Sequence, residues 1–150
     1  MIVYLDASAI VKRYLAEASS PAVNHLVTEA AALGTSLVSR AEVGAALARA
    51  TRLKAIHRAA AEKARRLFGA HWVDLIATPV TQSLVAQADA LAWEYGLRGY
   101  DAVHLASALS WQEALSERVT LATFDRELWQ AAQSAGLNVW PELADFGPLV

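Results

Sequence analysis

The sequence predicts an α/β protein: a three-layer α/β/α sandwich with a mainly parallel central sheet. Three observations predict it. Short apolar runs rich in β-formers alternate with longer stretches of helical periodicity along the chain, which is the pattern of β–α–β crossovers. The first run, Ile2-Val3-Tyr4-Leu5, is apolar on both faces, as a strand covered from both sides must be. The length of 150 residues, with 55% hydrophobic and 19% charged, suits one domain over residues 1–150 with a core of its own.

The elements follow in order. Residues 2–5 form the first strand, which stops on Asp6 and three small residues. Residues 9–15 read as a short helix. Ser19 or Ser20 with Pro21 opens the next, and residues 22–33 carry Val23, Leu26, Val27 and Ala30 at helical spacing, with Gly34 as its end. Residues 35–38 are a second short strand. Ser39-Arg40-Ala41-Glu42 opens a helix to about Thr51, and residues 55–69 form another, alanine-rich and basic on one side. Residues 72–76 are a third strand or an extended link, closed by Pro79. Thr81 caps a helix over 83–95 that stops at Gly96. A further helix starts around 99–101 and runs through Leu109. Residues 119–122 are a strand, 126–135 a helix ended by Gly136, and 137–140 a last strand. Residues 141–150 read as an irregular tail.

Composition narrows the classes of function. The chain has no cysteine, which excludes disulfides and thiolate metal sites and agrees with a reducing cytosol. Asp6 comes too early for a signal-peptide core, and no apolar run approaches the about 20 residues that cross a membrane. A cytoplasmic protein without membrane contact is expected. The net charge of −2 is uneven. Between positions 49 and 66 seven cations face one acid, Glu62, a local net of +6; from Leu67 onward ten acids face three arginines. A basic segment within an acidic protein is either a solvated helix face or a phosphate-backbone contact. Arg49, Arg52 and Arg58 are the candidates for such a contact.

Four acids stand at element junctions: Asp6 after the first strand, Glu42 in the first turn after the second, Asp101 at the start of the helix before the 119–122 strand, and Asp125 just beyond that strand. In a parallel sheet the strand ends and the following helix starts gather along one edge, where ligands bind. Asp6, Glu42 and Asp125 fit this directly; Asp101 joins them if its helix starts at the same edge. Each also has a local reading. Asp6 and Asp125 suit helix caps, Ser39-x-x-Glu42 has the capping-box pattern, and Asp101 suits the helix dipole. If the four converge, two like charges about 4 Å apart repel by about 4 kcal/mol at an effective dielectric of about 20. Protonation or a cation must then relieve the cluster. Oxygen-only ligands favour Mg²⁺ or Mn²⁺, and such ions assist displacement at phosphorus.

The chain resembles the PIN-domain ribonucleases, and within them the VapC-like toxins of toxin–antitoxin pairs. The likeness rests on Ile2-Val3-Tyr4-Leu5-Asp6-Ala7-Ser8, Ser39-Arg40-Ala41-Glu42-Val43, Tyr100-Asp101-Ala102-Val103-His104-Leu105-Ala106 and Ala122-Thr123-Phe124-Asp125-Arg126-Glu127-Leu128, in the family's order over almost the whole chain. It implies the α/β/α sandwich. It implies Asp6, Glu42, Asp101 and Asp125 as the catalytic and metal-ligating set for Mg²⁺ or Mn²⁺, and endonucleolytic cleavage of RNA. It also implies a homodimer and a cognate antitoxin protein as partner. Ser8 and Thr123 match hydroxyl positions near the metal, or else make local turn and cap bonds. Arg40 is a further supporting candidate, for phosphate or for balancing the acids. His104 is expected to be a packed, hydrogen-bonded histidine, with a metal or acid–base role as the alternative. The competing functions are a non-catalytic RNA- or protein-binding domain and a phosphatase with Asp6 as nucleophile. The phosphatase pattern asks for a second Asp where this chain has Ser8.

Overall fold

A computed structural model of the chain describes residues 1–146; the end of the expected irregular tail, residues 147–150, lies outside the described residues. The first strand, β1 (Ile2–Leu5), is the centre of a five-stranded sheet. Its neighbours are β2 (Ala32–Ser36) and β4 (Val119–Ala122), with β3 (Ile76–Thr78) and β5 (Asn138–Trp140) at the edges, in the order β3-β2-β1-β4-β5. Every pairing is parallel, and the register sets Val3 between Leu33 and Thr120.

The pleat of β1 divides the core. Val3 and Leu5 point into one helical layer, built from α1 (Ala7–Tyr14), α2 (Ser20–Glu29), α3 (Ser39–Arg52) and α4 (Arg58–His71), where they pack with Ile10, Leu26, Val43, Leu47 and Phe68. Tyr4 points into the other, built from α5 (Gln82–Tyr95), α6 (Gly99–Leu115) and α7 (Arg126–Ser134), and packs with Leu84, Leu105, Leu121 and Leu128. Each fully buried side chain of this size contributes about 1.5–3 kcal/mol. The sheet is therefore covered on both faces, as the uninterrupted apolar run in β1 requires.

The chain winds from β1 to β2 and β3 on one side, then returns to lay β4 and β5 on the other. The winding reverses between β1 and β4. Open α/β sheets have their ligand crevice at such a reversal, beyond the carboxyl ends of the strands. Asp6 and Thr123 follow directly on these two strands.

Several boundaries differ from those expected. The second helix ends at Glu29, and Leu33 and Gly34 belong to β2, not to a helix and its cap. Gly34 is there for closeness: a β-carbon built on it would stand 2.4 Å from the Trp111 ring of α6. Trp72–Asp74 is a 3₁₀ turn, and the third strand begins only at Ile76. The helix that starts at Gly99 continues to Leu115. Residues 141–146 include one 3₁₀ turn, Leu143–Asp145. Gly34→Ala is accordingly expected to destabilise the fold by about 1–3 kcal/mol through overpacking. Urea denaturation measures this, and combining the change with Trp111→Leu is expected to restore part of the loss.

Candidate active site

Asp6 is both cap and buried carboxylate. It is 4% exposed. As N-cap of α1 its Oδ1 accepts from the Ala9 amide at 2.9 Å. The Ser8 hydroxyl lies 2.7 and 2.9 Å from its two oxygens, and Thr123 Oγ1 donates to Oδ2 at 2.6 Å. Both hydroxyls accept in turn, Ser8 Oγ from the Phe124 amide at 2.8 Å and Thr123 Oγ1 from the Asp125 amide at 3.0 Å. The end of β1 is thereby fastened to the turn after β4, and the hydroxyls make the local bonds and face the carboxylate at once.

Glu42 is not part of a capping box. Ser39 is buried, and its hydroxyl bonds Thr35 Oγ1 at 2.7 Å, while Thr35 donates to the Leu5 carbonyl. Glu42 turns instead to His104, whose Nε2 lies 2.7 Å from its Oε2. The Tyr4 hydroxyl stands 3.0 Å from His104 Nδ1. His104 is packed and hydrogen-bonded, as expected, and it also touches one of the four acids. This bond crosses from α6 to α3, past the end of the sheet and between the two helical layers.

Asp101 and Asp125 meet on one guanidinium. Arg98, the residue before α6, donates from Nε to Asp101 Oδ2 at 2.9 Å and from Nη2 to Asp125 Oδ2 at 2.7 Å. Asp125 also caps α7, with its other oxygen on the Leu128 amide at 2.9 Å. The start of α6 therefore does lie at the sheet edge that carries the β4–α7 turn. Arg98 attracted no notice in the sequence. An Arg-x-x-Asp spacing at a helix start was its available signal.

Asp101 and Asp125 are thus linked through Arg98, while Glu42 pairs with His104 and Asp6 with hydroxyls and an amide, and among the described residues no three Asp, Glu or His side chains stand close enough to share one ion. The donor chemistry still fits a hard divalent cation: carboxylate oxygens throughout, with the Asp101–Asp125 pair already bonded to one cationic group. The arginine candidates lie elsewhere. The Arg40 guanidinium is over the Trp72 ring at 5.6 Å. Arg49 and Arg52 lie in the last turn of α3, with Arg52 ten residues past Glu42, or about 15 Å along the axis. Arg52, Arg58 and Arg65 line a groove between α3 and α4, and Arg58 also pairs with Glu62.

Residues 3–133 match the family described as PIN domain. The chain belongs to the PIN-domain family. It is 35% identical over 144 residues to two Mycobacterium tuberculosis proteins, Ribonuclease VapC45 (strain CDC 1551 / Oshkosh) and Ribonuclease VapC49 (strain ATCC 25618 / H37Rv), with 96% of this chain and 98% of each relative covered. Among solved structures the fold resembles PAE2754 from Pyrobaculum aerophilum, with a TM-score of 0.61 at 22% identity over 93% of this chain and 89% of that one. It also resembles FitAcB from Neisseria gonorrhoeae, with a TM-score of 0.58 at 17% identity over 93% and 97%.

The electrostatics of this PIN domain follow from burial. Burial raises the pKa of Asp6 against the charge of His104 and the bonds from Thr123, Ala9 and Ser8. Burial and the neighbouring Asp125 raise Asp101 against Arg98 and His104. Burial disfavours a charged His104, but its bond to Glu42 and the charges of Asp6, Glu42 and Asp101 outweigh this and raise its pKa. All three groups hold their protons more tightly folded than unfolded. Above about pH 4 for the acids, and above about pH 6.5 for the histidine, the folded chain then carries the extra protons, and stability falls as pH rises. In EDTA the unfolding free energy from urea titration is expected to be lower at pH 8 than at pH 5. A rise over that interval would contradict this account.

Proposed function

We propose that this chain is a Mg²⁺- or Mn²⁺-dependent endoribonuclease and the toxin component of a toxin–antitoxin pair. The reading is supported by two links beside the winding reversal of the sheet: His104 feels the charges of Asp6, Glu42 and Asp101, and Arg98 joins Asp101 to Asp125. The relatives named ribonuclease, aligned over nearly the whole chain, support it.

In this reading Asp6, Glu42, Asp101 and Asp125 would draw together around a divalent ion on its binding, with Asp6 as the fixed member of the set. Ser8 and Thr123 hold its carboxylate in one orientation. His104 orients Glu42, and Tyr4 orients His104. Glu42, Asp101 and Asp125 keep part of their side chains open to solvent, so they face both an incoming phosphodiester and the water that attacks it. When bound, the ion supplies charge neutralisation at the phosphate and a more acidic water. Water adds to phosphorus as a solvent-facing carboxylate takes its proton, the bond to the leaving oxygen breaks, and that oxygen gains a proton from solvent. Asp6 suits anchoring better than the nucleophilic role of a phosphatase, because both its oxygens accept hydrogen bonds and it is shielded from solvent.

The same reading assigns the chain one domain, a cytoplasmic location, a homodimer and an antitoxin partner. Among the described residues no helix is long and apolar enough to cross a membrane. Trp93 is 91% exposed and Val85 shares its helix, α5, as a second exposed apolar residue, which supports a covering subunit there. The basic groove of Arg52 and Arg58, with Arg49 nearby, is assigned to the RNA backbone away from the cleavage point.

Purified protein with Mg²⁺ or Mn²⁺ is expected to cut labelled RNA into discrete fragments. EDTA is expected to stop cleavage, and Asp6→Ala to slow it by about a hundredfold or more; cutting that survives both would sink the assignment. Arg52→Ala and Arg58→Ala are expected to weaken RNA binding modestly whatever the sequence, each flattening the slope of log affinity against log salt by up to about 1. Filter binding over a salt series reads this, and unchanged slopes would remove the groove from the RNA path.

A further inference from the structure

We infer that Arg98 is an exchangeable counter-ion of the Asp101–Asp125 pair, and that a divalent cation binds at this pair by displacing it. The inference rests on the metal-dependent reading above. The contacts of Arg98 and its charge carry it first. The guanidinium bonds both carboxylates through separate nitrogens, Nε on Asp101 and Nη2 on Asp125, so one side chain neutralises acids from two elements. Arginine keeps its charge at any ordinary pH, so only movement of the side chain releases the pair.

Movement is open to it. The Arg98 side chain is 72% exposed, so the two ion pairs, not packing, hold it in place. Gly99 follows it, with no atoms crowding the space where a β-carbon would sit. The two acids are anchored apart from Arg98, Asp125 by its carboxylate and Asp101 by its backbone. Asp125 retains its cap bond to the Leu128 amide, and Asp101 is fixed in the first turn of α6. Removing the guanidinium therefore leaves two uncompensated carboxylates on a fixed backbone, which is a stronger attractant for a divalent ion than the compensated pair. Arg98 acts on the site through these acids and is a positioning residue.

The test compares wild type, Arg98→Gln and Arg98→Lys as metal-free full-length proteins. Mn²⁺ is titrated calorimetrically, and thermal unfolding is followed in EDTA and in saturating Mn²⁺. Arg98→Gln is expected to bind Mn²⁺ about threefold to tenfold more tightly, the scale of two exposed ion pairs. It is also expected to melt below wild type in EDTA and to recover most of that deficit in Mn²⁺. Arg98→Lys keeps the charge without the fork and is expected to fall between the two. A purely structural Arg98 would lower melting by the same amount in both conditions, and that result overturns the proposal. Equal or weaker Mn²⁺ binding by Arg98→Gln overturns it too, while the metal-dependent reading stands. If no variant binds Mn²⁺, both fall together.

Discussion

A carboxylate buried at the end of the central strand has to be compensated, and its compensation ties the fold together. Asp6 is enclosed because β1 is the innermost strand and both layers close over its end. An unpaired charge in that position would be costly. The partners come from α1, through Ser8 and the Ala9 amide, and from the β4–α7 turn, through Thr123. The two hydroxyls then fix the amides of Phe124 and Asp125, which sets the start of α7 and so the place of the Asp125 side chain. One buried carboxylate therefore organises a second, more exposed acid beyond the end of the neighbouring strand. Local capping and a role in the site are the same arrangement seen at different oxygens.

The fold was legible in the sequence because a parallel sheet leaves an unmistakable pattern of short apolar runs between helices. Four of the five strands can be read in order along the chain, residues 72–76 read equally as a strand or a link, and the boundary errors have identifiable causes. Gly34 looked like a helix terminator, but its lack of a side chain serves the close approach of Trp111 across the sheet, a contact between residues far apart in sequence. The Ser39-x-x-Glu42 spacing fits a capping box, yet Thr35 captures the Ser39 hydroxyl and His104 captures Glu42. Tertiary partners overrode a local pattern in both cases.

The candidate site was legible as a set of acids and not as a circuit. Asp6, Glu42, Asp101 and Asp125 stand out because acids at strand ends are conspicuous against apolar runs. The groups that connect them do not. Arg98 lies in a polar turn where an arginine is unremarkable, and its meaning depends on Asp125, which follows β4. His104 sits among apolar residues on α6 and looks like packing, which it is; its bond to Glu42 depends on how two layers meet. The basic residues show the converse. Their clustering between 49 and 66 was plain, but the length of α3 carries Arg49 and Arg52 away from the acids.

The bond between His104 and Glu42 joins helices that belong to opposite layers, and this has a consequence for half-folded chains. Glu42 belongs to α3, and Asp101 with Asp125 to the opposite side of the sheet, with Asp6 on the strand that both layers share. A chain with only one layer assembled lacks part of the set, whichever layer forms first. Nascent or partly melted molecules therefore contain no working fraction of the site. Completion of the proposed set therefore requires both layers to be assembled on the sheet.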